Sequence, residues 1–459
     1  MKWAYFLKNS FIFLLCTLFN LTYADKLYVR GSALHFLSDP DLSSTSQSYQ
    51  YLADALLVIN DGKIEQIGNW NELNTKLPAN AKIVEYKNGL ILPGFIDAHI
   101  HYPQMDMIAA NSGGHLLQWL DSYTFPFEKK FQDNLYAKEV ANAFLDELLR
   151  NGTTSAMIFT TIYPEAVNSL FESAEKRQMR IIAGEVMGDQ NLPDFLIQSP
   201  EIAAKETEAL IAKWHNKRDA RTLYAITFRF APTTSDKLFK KIEALKKKYP
   251  DTYIYSHISE NQQEIKWSNE LHNSKLYLDI YDRYNLLGNK TLLAHGVYLT
   301  DLEEKRIHET ETSIAFCPTS NLFLGSGLFN LMQADKNGVT VGLGTDVGAG
   351  TSFSMLQTMN DAYKIAQLQN QNLSPLKAFY LATLGSAKAL NLANKLGNFS
   401  KNKEADFVVL NFSGATPLLK RRLAYANTLQ DKLFVLMTLG DDRSVIATYV
   451  NGKLAYRQD

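Results

Sequence analysis

Leu92-Pro-Gly-Phe-Ile-Asp-Ala-His-Ile-His101 is an apolar run that ends in two histidines spaced two apart. Successive side chains on a strand alternate between faces, so both imidazoles of such a run turn toward one spot. Strands buried on both faces read as continuous apolar runs of this kind. Working outward as far as residue 395, comparable runs end near Phe159, Glu185, Phe228, His257, His295, Cys317 and Asp346. With the first run, ending near His99, they make eight strand-helix units, the pattern of a (β/α)8 barrel. Amphipathic segments separate most of them. Val140, Phe144 and Leu148, with Ala141, Leu145 and Leu149, form a helical stripe that stops at Asn151-Gly152, a C-terminal cap signal. Ser374-Pro375 reads as an N-cap followed by proline at the first helical position.

The two ends of the chain differ from this middle. Leu56 to Gly68 is a pair of apolar runs joined through Asp61-Gly62, and Val445-Ile-Ala-Thr-Tyr-Val450 turns at Asn451-Gly452 and returns through Lys453-Leu-Ala-Tyr456. Both are hairpin signals. Phe407-Val-Val-Leu410 adds a further buried strand. Residues 25–92 and 398–459 are therefore expected to build one discontinuous β-sandwich around a barrel spanning 93–397.

Residues 1–24 read as a secretory signal peptide. Lys2 and Lys8 precede the apolar run Phe11 to Phe19, and Thr22-Tyr-Ala24 supplies small residues before a cleavage point. That run is too short for a spanning helix, and nothing after it is apolar enough to cross a bilayer. The expected location is periplasmic or secreted, or cytoplasmic if the leader does not function.

Composition excludes several functions. Lys plus Arg (47) nearly cancels Asp plus Glu (48), so no basic excess supports nucleic-acid binding. Two cysteines cannot supply a disulfide scaffold, a four-thiolate zinc site or a Pro-Cys-x-x-Cys deaminase centre. A metal would have to sit on histidine and carboxylate.

Three more strand ends offer such ligands at the same rim: Tyr253-Ile-Tyr-Ser-His257, Thr291-Leu-Leu-Ala-His295 and Val341-Gly-Leu-Gly-Thr-Asp346. Zinc and similar ions take imidazole nitrogen and carboxylate oxygen, with one position left for water. Glu260, three residues after His257, stands where a general acid/base must be. Arg229 closes another apolar strand, where a guanidinium needs either an ion-pair partner or a ligand's acceptor edge. Gln104 offers a carboxamide just beyond the histidine pair. Any one of these taken alone is more often structural, and their concentration at one rim carries the metal-hydrolase reading. His35, His115, His215, His272 and His308 close no comparable strand.

These residues resemble the amidohydrolase superfamily and, within it, the guanine deaminase family. The resemblance covers nearly all of the chain after the leader. It is most specific over Pro93 to Met107, Tyr123-Thr-Phe-Pro126, Phe316 to Gly327 and Gly344 to Met355. It implies a (β/α)8 barrel with a terminal β-sandwich, one zinc per subunit, a homodimer, and hydrolysis of guanine with water to xanthine and ammonia. On this resemblance His99, His101, His257, His295 and Asp346 surround the metal, with His295 nearer the attacking water. Asp346 takes the water's proton, and Glu260 protonates the ring and then the leaving amine. Gln104, Arg229 and Phe230 hold the base, whose site His101, His257, Glu260 and Asp346 also line. The family pattern is departed from between Ala110 and Trp119, at Gln190 and at Phe228, and at no metal position. Another amino-heterocycle as substrate, iron in place of zinc, and a non-catalytic scaffold stay open as alternatives.

Overall fold

Eight parallel strands form the barrel: Phe95–His101, Thr153–Phe159, Arg180–Gly184, Thr222–Phe228, Tyr253–Ile258, Thr291–His295, Ser313–Phe316 and Thr340–Leu343. They are hydrogen-bonded in that order. The computed structural model describes residues 26–41, 45–110, 116–217 and 221–458, so the leader-like segment 1–24 lies outside the described residues. Nearly every barrel-strand residue is buried, as expected of strands with a packed interior on one side and helices on the other. The helix Asn134–Arg150 shows how those helices are set. The Asp133 side chain caps its start by accepting from Leu135 N, and its stripe from Val140 to Leu149 is buried. The chain then leaves through Gly152 at a φ of 79°. Ser374 caps the helix Pro375–Tyr380 in the same way.

Closure between the first and last strands is made just past Leu343. Asp346 N donates to His99 O and His101 N donates to Val347 O, both at 2.8 Å. The buried Asp97 carboxylate clamps this seam, accepting from Thr345 N at 3.0 Å, from His99 N at 3.1 Å and from the Thr345 hydroxyl.

The terminal segments form one seven-stranded sheet in the order Lys453–Arg457, Val445–Val450, Phe407–Asn411, Ile83–Pro93, Leu27–Phe36, Tyr49–Asn60, Lys63–Asn69. Its neighbours are antiparallel except the pair Leu27–Phe36 and Ile83–Pro93. The sheet is continuous and curls, so its two halves face each other as the layers of a sandwich around Val29, Leu57, Ile59, Ile91, Phe407 and Tyr449. Both hairpin tips are two-residue turns with positive φ at each position: Asp61 and Gly62 (49° and 69°), Asn451 and Gly452 (51° and 72°). The tips meet. A Cβ on Gly62 would lie 2.1 Å from Asn451 Oδ1, so only glycine fits there.

A buried charge cluster joins this sheet to the barrel. Glu404 accepts from Arg180 Nε at 2.8 Å and from Arg221 Nη1 at 2.8 Å, and Arg221 Nη2 donates to Asp406 at 2.6 Å. Among the described residues no helix is long and apolar enough to cross a membrane.

Removing one partner of a buried ion cluster leaves an uncompensated charge and typically costs about 3–5 kcal/mol. Glu404→Ala is therefore expected to lower the urea-unfolding free energy by about that amount. Burial alone would raise the Glu404 pKa, but Arg180 and Arg221 hold it below its ordinary value of 4.5. The stabilisation from this carboxylate is complete above 4.5 and is lost as pH falls through the lower folded value. Unfolding titrations of the native protein and the variant should therefore converge in acid and diverge toward neutral pH.

Candidate active site

The barrel's register brings the strand ends level. Ile258 lies opposite His295 and His257 opposite Ala294, while the closing seam sets Asp346 beside His99. His99 Nε2 is 3.1 Å from His101 Nε2, which is 3.3 Å from His257 Nε2. Asp346 Oδ1 is 3.2 Å from Nε2 of both His99 and His101. His295 stands slightly apart, its Nε2 3.8 Å from Asp346 Oδ2 and 3.4 Å from Glu260 Oε2. The structure thus brings together all five residues expected around a metal, with His295 on the Glu260 side.

The outward ring nitrogens decide what the inward ones can do. His257 Nδ1 donates to the Arg229 carbonyl at 2.7 Å, and His295 Nδ1 donates to Asn321 Oδ1 at 3.0 Å. His99 Nδ1 lies 2.6 Å from the Tyr255 hydroxyl, which itself donates to Met157 O and so accepts from the imidazole. These partners leave Nε2 of His99, His257 and His295 as lone pairs. Unprotonated nitrogens facing one another at this spacing repel unless a cation lies among them. Nitrogens about 2.0–2.1 Å from one tetrahedral ion stand roughly 3.3 Å apart. The donor set therefore fits a single metal.

Burial keeps the imidazoles neutral, as metal ligands must be: it pushes His99 down to about 3 and lowers His101, and with the neighbouring imidazoles it holds His257 well below the ordinary range. Burial acts against ionised Asp346, but His99, His101 and His295 hold its pKa well below the carboxylate range. Glu260 goes the other way. Burial and the Asp346 charge push it up to about 8, against a 2.9 Å hydrogen bond from Ser326 Oγ. Two carboxyls in one site, one ionised and one neutral, is an acid/base division of labour. Glu264 fixes the second by accepting from the backbone N–H of Glu260 at 2.9 Å. Ser259, His295 and Asp346 take positive φ of 50°, 73° and 51°, a strained conformation for these residues that places the side chains at a cost of about 1–3 kcal/mol each.

Beside the imidazoles lies a cavity that opens to solvent. His101, His257, His295, Asp346, Glu260 and Glu264 line it together with Gln104, Arg229 and Phe230, and Leu116, Trp119, Leu120, Leu324 and Ala349 supply its apolar lining. Gln104 Oε1 accepts from Gly348 N at 3.2 Å, which leaves its NH2 to donate. The Arg229 guanidinium is paired with buried Glu128 and also borders the cavity, so the ion-pair and ligand readings of this residue coexist. The two described departures from the family pattern fall elsewhere: Gln190 donates to Pro232 O, and Phe228 packs on Phe239 and Tyr281. Part of the Ala110 to Trp119 stretch lies outside the described residues.

Several members of the site escaped sequence reasoning. Tyr255 had a signal that could have found it, because it sits two before His257 and so on the same strand face. Asn321 and Ser326 come from the Phe316 to Gly327 stretch and Glu128 lies two beyond Pro126, but nothing in spacing assigns them partners. Cys317 lies within 4.8 Å of a His99 nitrogen and an Asp346 oxygen. Burial raises its thiol well above the ordinary value, so it stays protonated and donates to Ala315 O at 3.4 Å.

The amidohydrolase family model matches residues 90–455. The chain is 48% identical to guanine deaminase of Escherichia coli (strain K12), over 94% of this chain and 98% of that protein. The solved structure of E. coli guanine deaminase superposes with a TM-score of 0.90 at 46% identity, covering 95% of this chain and 100% of the other. Guanine deaminase from C. acetobutylicum, solved with guanine bound in its active site, gives a TM-score of 0.84 at 30% identity over 94% of this chain and 100% of that one. Matched by the family model over most of its length and by these relatives over nearly all of it, the chain belongs to the amidohydrolase family.

Proposed function

We propose that this chain hydrolyses guanine with water to xanthine and ammonia, using one zinc ion per subunit. The observation that carries the reading is the cavity lining, where the neutral imidazoles of His101 and His257 and the ionised Asp346 share one pocket with a guanidinium, a carboxamide and a phenyl face suited to a planar base. The 48% identity to E. coli guanine deaminase, and the guanine bound in the C. acetobutylicum relative, support guanine as that base.

His99, His101, His257 and Asp346 would hold the zinc, which when bound lowers the pKa of its water toward about 7. His295 Nε2 and Asp346 Oδ2, 3.8 Å apart, flank the water's approach and orient it, with Asp346 taking its proton as the C2 carbon is attacked. Neutral Glu260 gives its proton to the ring nitrogen beside C2. The Glu260 carboxylate then takes the proton of the new C2 hydroxyl and passes it to the amine, which leaves as ammonia as the carbonyl forms, and the proton held by Asp346 returns to Glu260, so both carboxyls end as they began. Arg229 meets O6 and N7, two acceptors at bidentate spacing. Gln104 donates to the base edge, Phe230 stacks on it, and the apolar border excludes bulk water.

Zinc-loaded protein is expected to convert guanine to xanthine, read by product absorbance and ammonia release. Robust turnover of another amino-heterocycle with none of guanine would overturn the assignment. Glu260→Gln should lower kcat at least about 100-fold while metal content per chain is unchanged; an unaffected rate removes Glu260 from its role. A homodimer and export with cleavage after Ala24 belong to the same proposal. They are checked by the particle mass in solution and by the N-terminal residue of protein taken from its host, which should be Asp25.

A further inference from the structure

Arg229 borders the cavity that holds Glu260 and His101, yet Nη2 of its guanidinium donates to Glu128 Oε1, and Glu128 is its hydrogen-bond partner among the described residues. The two side chains are 6% and 2% exposed. Glu128 belongs to the short helix Phe125–Lys129. It borders a second, smaller cavity that Arg229 also lines, and is absent from the lining of the cavity that holds Glu260 and His101. Whatever Glu128 does for a ligand, it does through Arg229.

A neutral amide in its place would accept the same hydrogen bond and orient the same fork. A carboxylate does one thing more: it cancels the charge. Guanine is neutral, and its product keeps O6 and N7 while gaining a second carbonyl at C2. That carbonyl withdraws electrons from the adjacent ring N–H, so xanthine loses a proton more readily than guanine. An uncompensated buried guanidinium would hold the resulting anion tightly, since charge attraction is strong where water is excluded.

We propose, resting on the guanine-deaminase reading, that Glu128 is a positioning residue with two separable effects. Its carboxylate aims the Arg229 fork at O6 and N7, and its charge lets anionic product leave. The other titratable groups on the cavity wall are His101, His257, His295, Glu260, Glu264 and Asp346, which the variants below retain.

Glu128→Gln keeps the reach and removes the charge, whereas Glu128→Asp keeps the charge and withdraws the acceptor by one methylene. In E128Q the ratio of the xanthine Ki to the guanine KM should fall about tenfold above the pH at which xanthine ionises, and should match the native ratio below it. In E128D the guanine KM should rise about tenfold, with a native pH profile for that ratio. A native profile in E128Q, or a native KM in E128D, overturns the proposal, and the E128D arm decides it should E128Q not fold. Native zinc-loaded enzyme is assayed alongside. If it fails to turn over guanine, the functional reading itself falls; if it turns guanine over and both variants behave as it does, only the role of Glu128 falls.

Discussion

The seam where the last barrel strand meets the first governs the rest of the structure. Two backbone hydrogen bonds, Asp346 N to His99 O and His101 N to Val347 O, join segments some 250 residues apart. They do so at the positions that carry the inward-facing imidazoles and carboxylate. Closing the barrel and assembling the donor set are thus one event. Asp97 secures the seam from within the strand, binding backbone N–H groups of both sides. It is fully buried, and burial pushes its pKa up to about 7 against these hydrogen bonds. A side chain on that seam has no room to drift, which is what a metal site needs to hold its geometry.

Arg229 ties the imidazole cluster to the rest of the cavity lining. Its carbonyl accepts from His257 Nδ1 and so sets that imidazole's tautomer, while its side chain borders the cavity. One residue therefore links the His257 imidazole to the cavity that would meet the base, and Phe230 follows it directly. A shift of this strand end would disturb both together. That coupling explains why a guanidinium is tolerated where the strand is otherwise apolar: its buried charge is compensated by Glu128 and its backbone is already committed.

The barrel, the terminal sheet and the strand-end candidates His99, His101, Arg229, His257, His295 and Asp346 were legible because each rests on local periodicity, whereas Phe230 and the roles of the site residues were implied only by the family resemblance. Apolar runs ended at the rim ligands, and Asp61-Gly62 and Asn451-Gly452 marked turns that need positive φ at two successive residues. What stayed hidden depends on contacts between distant segments. Nothing near Arg229 points to Glu128, 101 residues earlier. Nor does spacing reveal that Cys317 stands beside His99 and Asp346, or that the hairpin tips meet and curl a single sheet into two layers. Of the departures from the family pattern, Gln190 bonds a loop carbonyl, and Phe228 fills core because neighbouring residues of a strand face opposite ways.

The central claim is that barrel closure builds a site for one metal from imidazole and carboxylate while leaving the nearby thiol out. X-ray absorption at the zinc edge of the metal-loaded protein tests this most directly. The account predicts four or five nitrogen and oxygen ligands at about 2.0–2.2 Å, with the outer-shell scattering of at least three imidazoles. A sulfur ligand at about 2.3 Å, placing Cys317 on the metal, or fewer than three imidazoles, would contradict it.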